Sequence, residues 1–560
     1  MKRTGICTVA FAVFVLTGCG SAPISPSQSS ASKPDLVVMI AIDQFSSALF
    51  ERWRDRYTGG LKRLASEGVV FSNGYQAHGL TETCPGHSTL LTGKSPGRTG
   101  IVGNSWYDVD TGKPVYCVSA SGYTAAHDPA AREVGPTNLT ASTLGDWLKE
   151  SSSASRVVVV SGKDRASITL GGHKADGVFW YADKAGFTTY VGKGEDAAAK
   201  LAPLAALNAR IQADYASTPP WIYAHPECRK LEATYQIGDT TWKSTLPPMR
   251  PTKVGEKARP VLPLQIMDPL TVEAAEVLMR HYQLGQRGVT DLLAVSLSAT
   301  DYVGHGYGTQ GPEMCEQMYL LDALLDGFMK KLSTFEGKVL VVMTADHGGS
   351  DFPERLALQG DKQAKRVDGK AWLQSVNAEV KHMLGLSYDP LVSPDLYQLY
   401  VVGADRKHMP EPQRSKVVEA ALKVIHGRPE IEAVFSIDEL LSHRPVGKEY
   451  EQMSLRDRYA LSAMRGRSGD LIIAYKQGIN PSAPQLTYFI EGHSGPYDID
   501  RRIPIVFWWS SAHGAERKPS VSSTDIAPTL AHIIGVKAPA DLDGKCLDIA
   551  DFGNGACPRR

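Results

Sequence analysis

The chain has 560 residues, longer than one hydrophobic core usually grows, so either one large domain carrying insertions or two domains are expected. Its 60 basic and 60 acidic residues balance, which leaves no basic footprint for nucleic acid, and no nucleic-acid-binding surface is predicted. An anionic ligand would have to be captured by local charge.

At the start of the chain Lys2 and Arg3 precede an apolar stretch from Ile6 to Leu16, too short for a membrane span. Leu16-Thr17-Gly18-Cys19 resembles a bacterial lipobox, so residues 1–18 read as a signal peptide and Cys19 as the lipid-bearing first residue of an exported protein. Residues 19–34 are rich in Ser, Ala, Pro and Gln and read as a lipidated or flexible tether. The alternative is an ordinary signal peptide cut after Gly20-Ser21-Ala22; either way the chain is exported to the periplasm or cell envelope, and membrane attachment is expected only through Cys19 if the lipobox is used. Six cysteines follow: Cys84, Cys117, Cys228, Cys315, Cys546 and Cys557. With no C-x-x-C pair they argue for disulfides in an exported chain, and Cys546 with Cys557 is the pairing easiest to picture.

Four short apolar, β-branched runs come next, each ending in chemistry-bearing residues. Leu36 to Ile42 meets Asp43, and Val157 to Val160 meets Ser161-Gly162-Lys163-Asp164-Arg165. Leu292 to Leu297 meets Ser298-Ala299-Thr300-Asp301, and Val339 to Met343 meets Thr344-Ala345-Asp346-His347. Such runs suit strands buried on both faces, which predicts an α/β fold with a mostly parallel central sheet flanked by helices. Met318, Leu321, Leu325, Phe328 and Leu332 recur at helical spacing within Glu313 to Leu332. Residues 171–264 and 352–486 lack the strand–helix alternation and read as insertions into a catalytic domain spanning 35–560. The pattern returns with Ile505 to Trp508 and Thr524 to Leu530.

Ligands of open α/β sheets bind beyond the carboxyl ends of the strands, and there the candidate metal ligands gather. They are Asp43, Asp301, His305, Asp346 and His347, with His493 in the Gly-flanked stretch Glu491-Gly492-His493-Ser494-Gly495. Carboxylates and imidazoles without thiolate suit Zn²⁺ or a similar divalent ion. Thr81-Glu82-Thr83-Cys84-Pro85-Gly86-His87 reads as a turn opening a helix, whose first amides would favour an anion. Thr83 is there either a helix cap or a nucleophile that needs activation.

The ordered set Asp43, Thr83-x-x-Gly86-His87, Thr92-Gly93, Gly103-Asn104, Asp301-x-x-x-His305, Asp346-His347 and His493 resembles the alkaline phosphatase superfamily. The resemblance implies an alkaline-phosphatase-like fold in which the two insertions form a cap over the site. It implies two Zn²⁺, one held by Asp301, His305 and His493, the other by Asp43, Asp346, His347 and the Thr83 oxygen. Two such metals, about 4 Å apart, stabilise the attacking and leaving oxygens of an in-line displacement. Thr83 would form a phosphothreonine that water then hydrolyses, and Asn104 would donate to a phosphoryl oxygen.

A sulfatase is disfavoured, because Thr83 stands where that branch carries its modified cysteine, and Cys84 is not aligned with it. The nucleotide pyrophosphatase/phosphodiesterases share the threonine and the asparagine. Lys163 and Arg165 favour a monoester, whose dianion has one more charge to neutralise than a diester, and the pair is similar to that of single-chain, threonine-dependent alkaline phosphatases. Small phosphate monoesters of broad range are the expected substrates, a phosphodiesterase of the same fold is the alternative, and a monomer is the expected state. Ser88, Thr81 and Asp164 read as structural.

Overall fold

A computed structural model of the chain describes residues 1, 5, 33–248, 264–445, 447–481, 489–549 and 557. The signal-peptide expectation, Cys19 and nearly all of the tether fall outside them.

Among the described residues, ten strands form the central sheet. In chain order these are β1 (Leu36–Ile42), β2 (Val69–Tyr75), β3 (Val157–Ser161), β4 (Gly177–Tyr181), β5 (Phe187–Thr188), β6 (Asp291–Leu297), β7 (Val339–Thr344), β8 (Arg502–Trp509), β9 (Ala515–Arg517) and β10 (Val521–Ser522). Their spatial order is β9-β2-β8-β7-β1-β6-β3-β4-β5, with β10 also on β2. From β7 through β1, β6 and β3 to β4 every pairing is parallel, while β8 runs antiparallel between β7 and β2. All seven residues of β1 are buried, with a parallel neighbour on each edge, which explains its unbroken Leu-Val-Val-Met-Ile-Ala-Ile run. Each of its Leu, Val, Met and Ile side chains contributes about 1.5–3 kcal/mol by leaving water.

Five helices matter for the site: α1 (Thr83–Thr92), α2 (Asp164–Gly171), α3 (Leu264–His281), α4 (Ala299–Tyr307) and α5 (Pro312–Ser333). The stripe Met318, Leu321, Leu325, Phe328 and Leu332 of α5 is buried. Helices α2 and α4 start directly after β3 and β6, so the residues of those turns sit at carboxyl ends of adjacent parallel strands.

The stretch 171–264 is not wholly an insertion, because it supplies β4 and β5 to the main sheet. Gly177-Val-Phe-Trp-Tyr181 is itself a short apolar run, and no helical pattern follows it directly to mark the strand–helix alternation. In the second stretch a four-stranded antiparallel sheet (Leu391–Val392, Gln398–Val401, Leu471–Tyr475, Ile431–Ser436) packs with α6 (Gly369–Leu384) and α7 (Gln413–His426) around its own core. Disulfides join Cys84 to Cys117, Cys228 to Cys315 and Cys546 to Cys557. No helix among the described residues is long and apolar enough to cross a membrane.

Candidate metal and phosphoryl site

The parallel strands deliver the candidate ligands to one edge. Asp43 directly follows β1, and its amide continues the ladder to Leu297 O at 2.9 Å. Asp346 and His347 follow β7, while Asp301 and His305 lie one turn apart on α4. All of these except the half-buried His305 are buried, as is His493.

Two groups form. His305 Nε2 and His493 Nε2 lie 3.4 and 3.7 Å from Asp301 Oδ1. His347 Nε2 lies 3.6 Å from Asp43 Oδ1 and 3.3 Å from Asp346 Oδ2. The His347 and His493 rings stack with centroids 3.9 Å apart, which joins the groups into one site.

Each imidazole has its Nδ1 on a backbone carbonyl: His347 on Gly348 at 2.8 Å, His305 on Glu491 at 3.0 Å and His493 on Thr81 at 2.7 Å. A carbonyl can only accept, so Nδ1 carries a proton in each ring, and in the neutral His347 and His493 rings the Nε2 lone pair faces the carboxylates. Asp43 Oδ1, Asp301 Oδ1 and His347 Nε2 are buried without a hydrogen-bond partner among the described residues. Unpaired buried donors and acceptors of this kind are costly unless something else binds them. Oxygen and nitrogen donors, no thiolate and a surplus of carboxylates fit Zn²⁺ or a similar divalent ion.

Proximity alone divides the ligands differently from the resemblance. Donor atoms of Asp301, His347 and His493 lie within 4.8 Å of one another, as do those of Asp43, His87 and Asp346. His87 is a poor ligand, because its Nδ1 reaches the Thr83 carbonyl at 3.0 Å and its Nε2 meets Ser296 Oγ at 2.9 Å. It lies 3.0 Å from Asp346 Oδ2 and steadies that carboxylate. Its place four residues after Thr83 was the available sequence signal. His347, with its free Nε2, sits between both groups.

The electrostatics follow from burial. Burial raises Asp43 well above the usual carboxylate range, helped by Asp301 and Asp346 and opposed by Lys163. Burial also pushes Asp301 and Asp346 upward, but Lys163 and His305 outweigh it at Asp301, and His347 and His87 at Asp346, so both end low. Burial and neighbouring imidazoles hold His493 well below its ordinary value, and burial lowers His347, so both rings stay neutral. At His305 burial is overcome by Asp301 and Glu491, and the ring rises to about 9.

Thr83 is the first residue of α1, and its cap is Glu82, so Thr83 is not the helix cap. Arg165 Nη2 points at its hydroxyl from 3.4 Å, and the buried Arg165 Nε has no hydrogen-bond partner among the described residues. Lys163 is buried between two of the candidate ligands. Its Nζ bridges Asp43 Oδ2 at 2.7 Å and Asp301 Oδ2 at 2.5 Å, because two buried carboxylates are the nearest anions. The first amides of α1 are also less available than expected. Cys84 N donates to Asn104 Oδ1 at 2.9 Å, Pro85 has no N–H, and Gly86 N bonds Glu82 O.

Thr81 Oγ1 donates to Gly495 O, Ser88 Oγ to Pro85 O, and Asp164 accepts from Tyr116. Asp268, which no sequence signal marked, caps α4 by accepting from Ser298 N and Ala299 N at 2.9 and 3.0 Å, and so places Asp301 and His305.

Gly86 allows α1 to lie against the Asp346 backbone, since a Cβ there would stand 2.1 Å from Asp346 O. Gly86→Ala is therefore expected to cost roughly 3 kcal/mol or more of stability by overpacking, checked by denaturant unfolding.

Comparison with known proteins places this geometry. Residues 37–496 match the family described as type I phosphodiesterase/nucleotide pyrophosphatase. The chain is 35% identical over 547 residues to alkaline phosphatase PhoK of a Sphingomonas species, covering 94% of this chain and 93% of the relative. It is 36% identical over 548 residues to alkaline phosphatase PhoD of Zymomonas mobilis, covering 96% and 92%. The crystal structure of wild-type alkaline phosphatase PafA matches with a TM-score of 0.79 at 26% identity, over 92% of this chain and 99% of that one.

Proposed function

Since the chain belongs to the type I phosphodiesterase/nucleotide pyrophosphatase family of the alkaline phosphatase superfamily, we propose that it is an alkaline phosphatase cleaving phosphate monoesters through phosphothreonine 83 at a two-zinc site. The observation that carries this reading is the Thr83 hydroxyl at the start of a helix, faced by Arg165 and set at the same sheet edge as two Asp/His groups with unpartnered donor atoms.

Asp301, His305 and His493 would hold one zinc ion, and Asp43, Asp346, His347 and the Thr83 oxygen the other. When bound, the two metals would lower the pKa of the attacking oxygen and stabilise charge on the leaving one. The rest is done by side chains. Thr83 Oγ attacks phosphorus in line, the ester oxygen leaves, and water then attacks the phosphothreonine to release phosphate and restore the hydroxyl. The Arg165 fork takes two non-bridging oxygens, which a monoester offers with an extra negative charge. Asn104 uses its Oδ1 on Cys84 N, so the NH₂ end is the one turned to substrate. Lys163, whose Nζ lies between Asp43 and Asp301, would supply a second positive charge toward the phosphoryl oxygens. With charge spread over the equatorial oxygens, this positioning supplies most of the acceleration.

The three disulfides support an exported protein, and a monomer acting on small phosphoesters is part of the same reading. The test is kcat/KM for p-nitrophenyl phosphate against its methyl diester, in wild type and Arg165→Ala. Wild type should prefer the monoester. Removing a charge-assisted pair of hydrogen bonds should cost the monoester about 100-fold and the diester under about 10-fold. A wild-type diester preference would assign the chain to the phosphodiesterases instead.

A further inference from the structure

A residue at the N-cap ordinarily turns its side chain onto the first amides of its own helix. Glu82 caps α1 without such a bond. Its Oε2 instead accepts the Asn104 N–H at 2.5 Å, and its Oε1 accepts the Ser494 hydroxyl at 3.0 Å. The capping contact it leaves is made by Asn104, whose Oδ1 takes the Cys84 N–H at 2.9 Å. The Asn104 carbonyl accepts from Cys117 N at 3.0 Å, and Cys117 is joined by a disulfide to Cys84. Backbone N–H, carbonyl and side-chain oxygen of Asn104 are thus all engaged, which leaves its amide NH₂.

The Glu82 carboxylate is buried, so its bonds are little screened by water. Its second oxygen holds Ser494, a non-glycine residue at φ +87 directly after His493. One carboxylate beside Thr83 therefore braces both Asn104 and the His493 loop.

We propose that Glu82 is a positioning residue that sets Asn104, so that the amide NH₂ meets a phosphoryl oxygen held beside Thr83. The proposal rests on the phosphatase reading above. A Gln at this position keeps an acceptor for Asn104 N–H and can still pair with Ser494 through its NH₂, whereas Ala keeps neither.

A double-mutant cycle at saturating zinc tests it, reading both kcat/KM for p-nitrophenyl phosphate and the inhibition constant of inorganic phosphate, with zinc content measured for each variant. Glu82→Ala is expected to lower kcat/KM and weaken phosphate binding by roughly 10- to 100-fold in the wild-type background. In the Asn104→Ala background the same change should cost under about 3-fold, because no amide remains to be placed and, at saturating zinc, only the contact to the His493 loop is lost. Glu82→Gln should recover most of the loss. Equal losses from Glu82→Ala in both backgrounds would overturn the proposal while leaving the phosphatase reading intact, as would an unaffected Glu82→Ala enzyme. An Asn104→Ala enzyme with wild-type kcat/KM and phosphate affinity would instead remove the substrate role of Asn104, and the proposal with it.

Discussion

Replacing Thr83 by alanine is expected to lower kcat/KM for p-nitrophenyl phosphate by about 10⁴-fold or more, some 5.4 kcal/mol of transition-state stabilisation, and to abolish any burst of p-nitrophenol. The loss follows from removing the only atom of that residue able to bond phosphorus, while Arg165 and the helix stay in place. Thr83→Ser keeps a hydroxyl and should retain activity within about 10-fold, limited by the freer rotation of the unbranched side chain. Steady-state and stopped-flow kinetics check both. Full turnover by the alanine variant would mean that water attacks the substrate directly. A protein that bound phosphoesters without turning them over would bind equally well after the substitution.

Stripping metal is expected to have a comparable effect. Chelation should abolish activity, and Asp301→Ala should remove about one equivalent of zinc with a loss of roughly 10³-fold or more, since one side of the displacement would go unstabilised. Elemental analysis alongside kcat/KM reads both. The stability effect has the same origin. Asp43, Asp301 and Asp346 are buried together against the single ammonium of Lys163 and the nearby Arg165, with donor atoms left unpaired. Zinc at 1,000 times its Kd should therefore stabilise the fold by about 4 kcal/mol, visible as a higher Tm. An Asp301→Ala enzyme with full activity and both metals would remove Asp301 from the ligand set.

Much of the frame was legible because fully buried parallel strands have to be written as unbroken apolar runs. Leu36 to Ile42 needed no partner information to be read as a strand, and Asp43 at its end then pointed to the site. The same logic located Asp346 and Asp301. What stayed hidden depends on contacts between distant parts of the chain. Gln44 donates to Glu491 across 447 residues, and Glu82 to Ser494 spans 412, so no local pattern encodes either. Asp268 sits inside a helix whose periodicity explains its neighbours and says nothing of the next helix that it caps. Lys163 was read from its charge and from the likeness of the Lys-x-Arg pair, and neither says that a buried ammonium also meets the carboxylates beside it. The start of α1 offers fewer free amides than expected for a similar reason, since Asn104 takes the Cys84 N–H from twenty residues away.

The most direct test of the central claim is the stereochemical course at phosphorus during hydrolysis of an isotopically chiral phosphorothioate monoester. Attack by Thr83 followed by attack of water is two in-line displacements, each inverting the centre, so net retention is predicted. Net inversion would show a single displacement by water and would contradict a phosphothreonine intermediate.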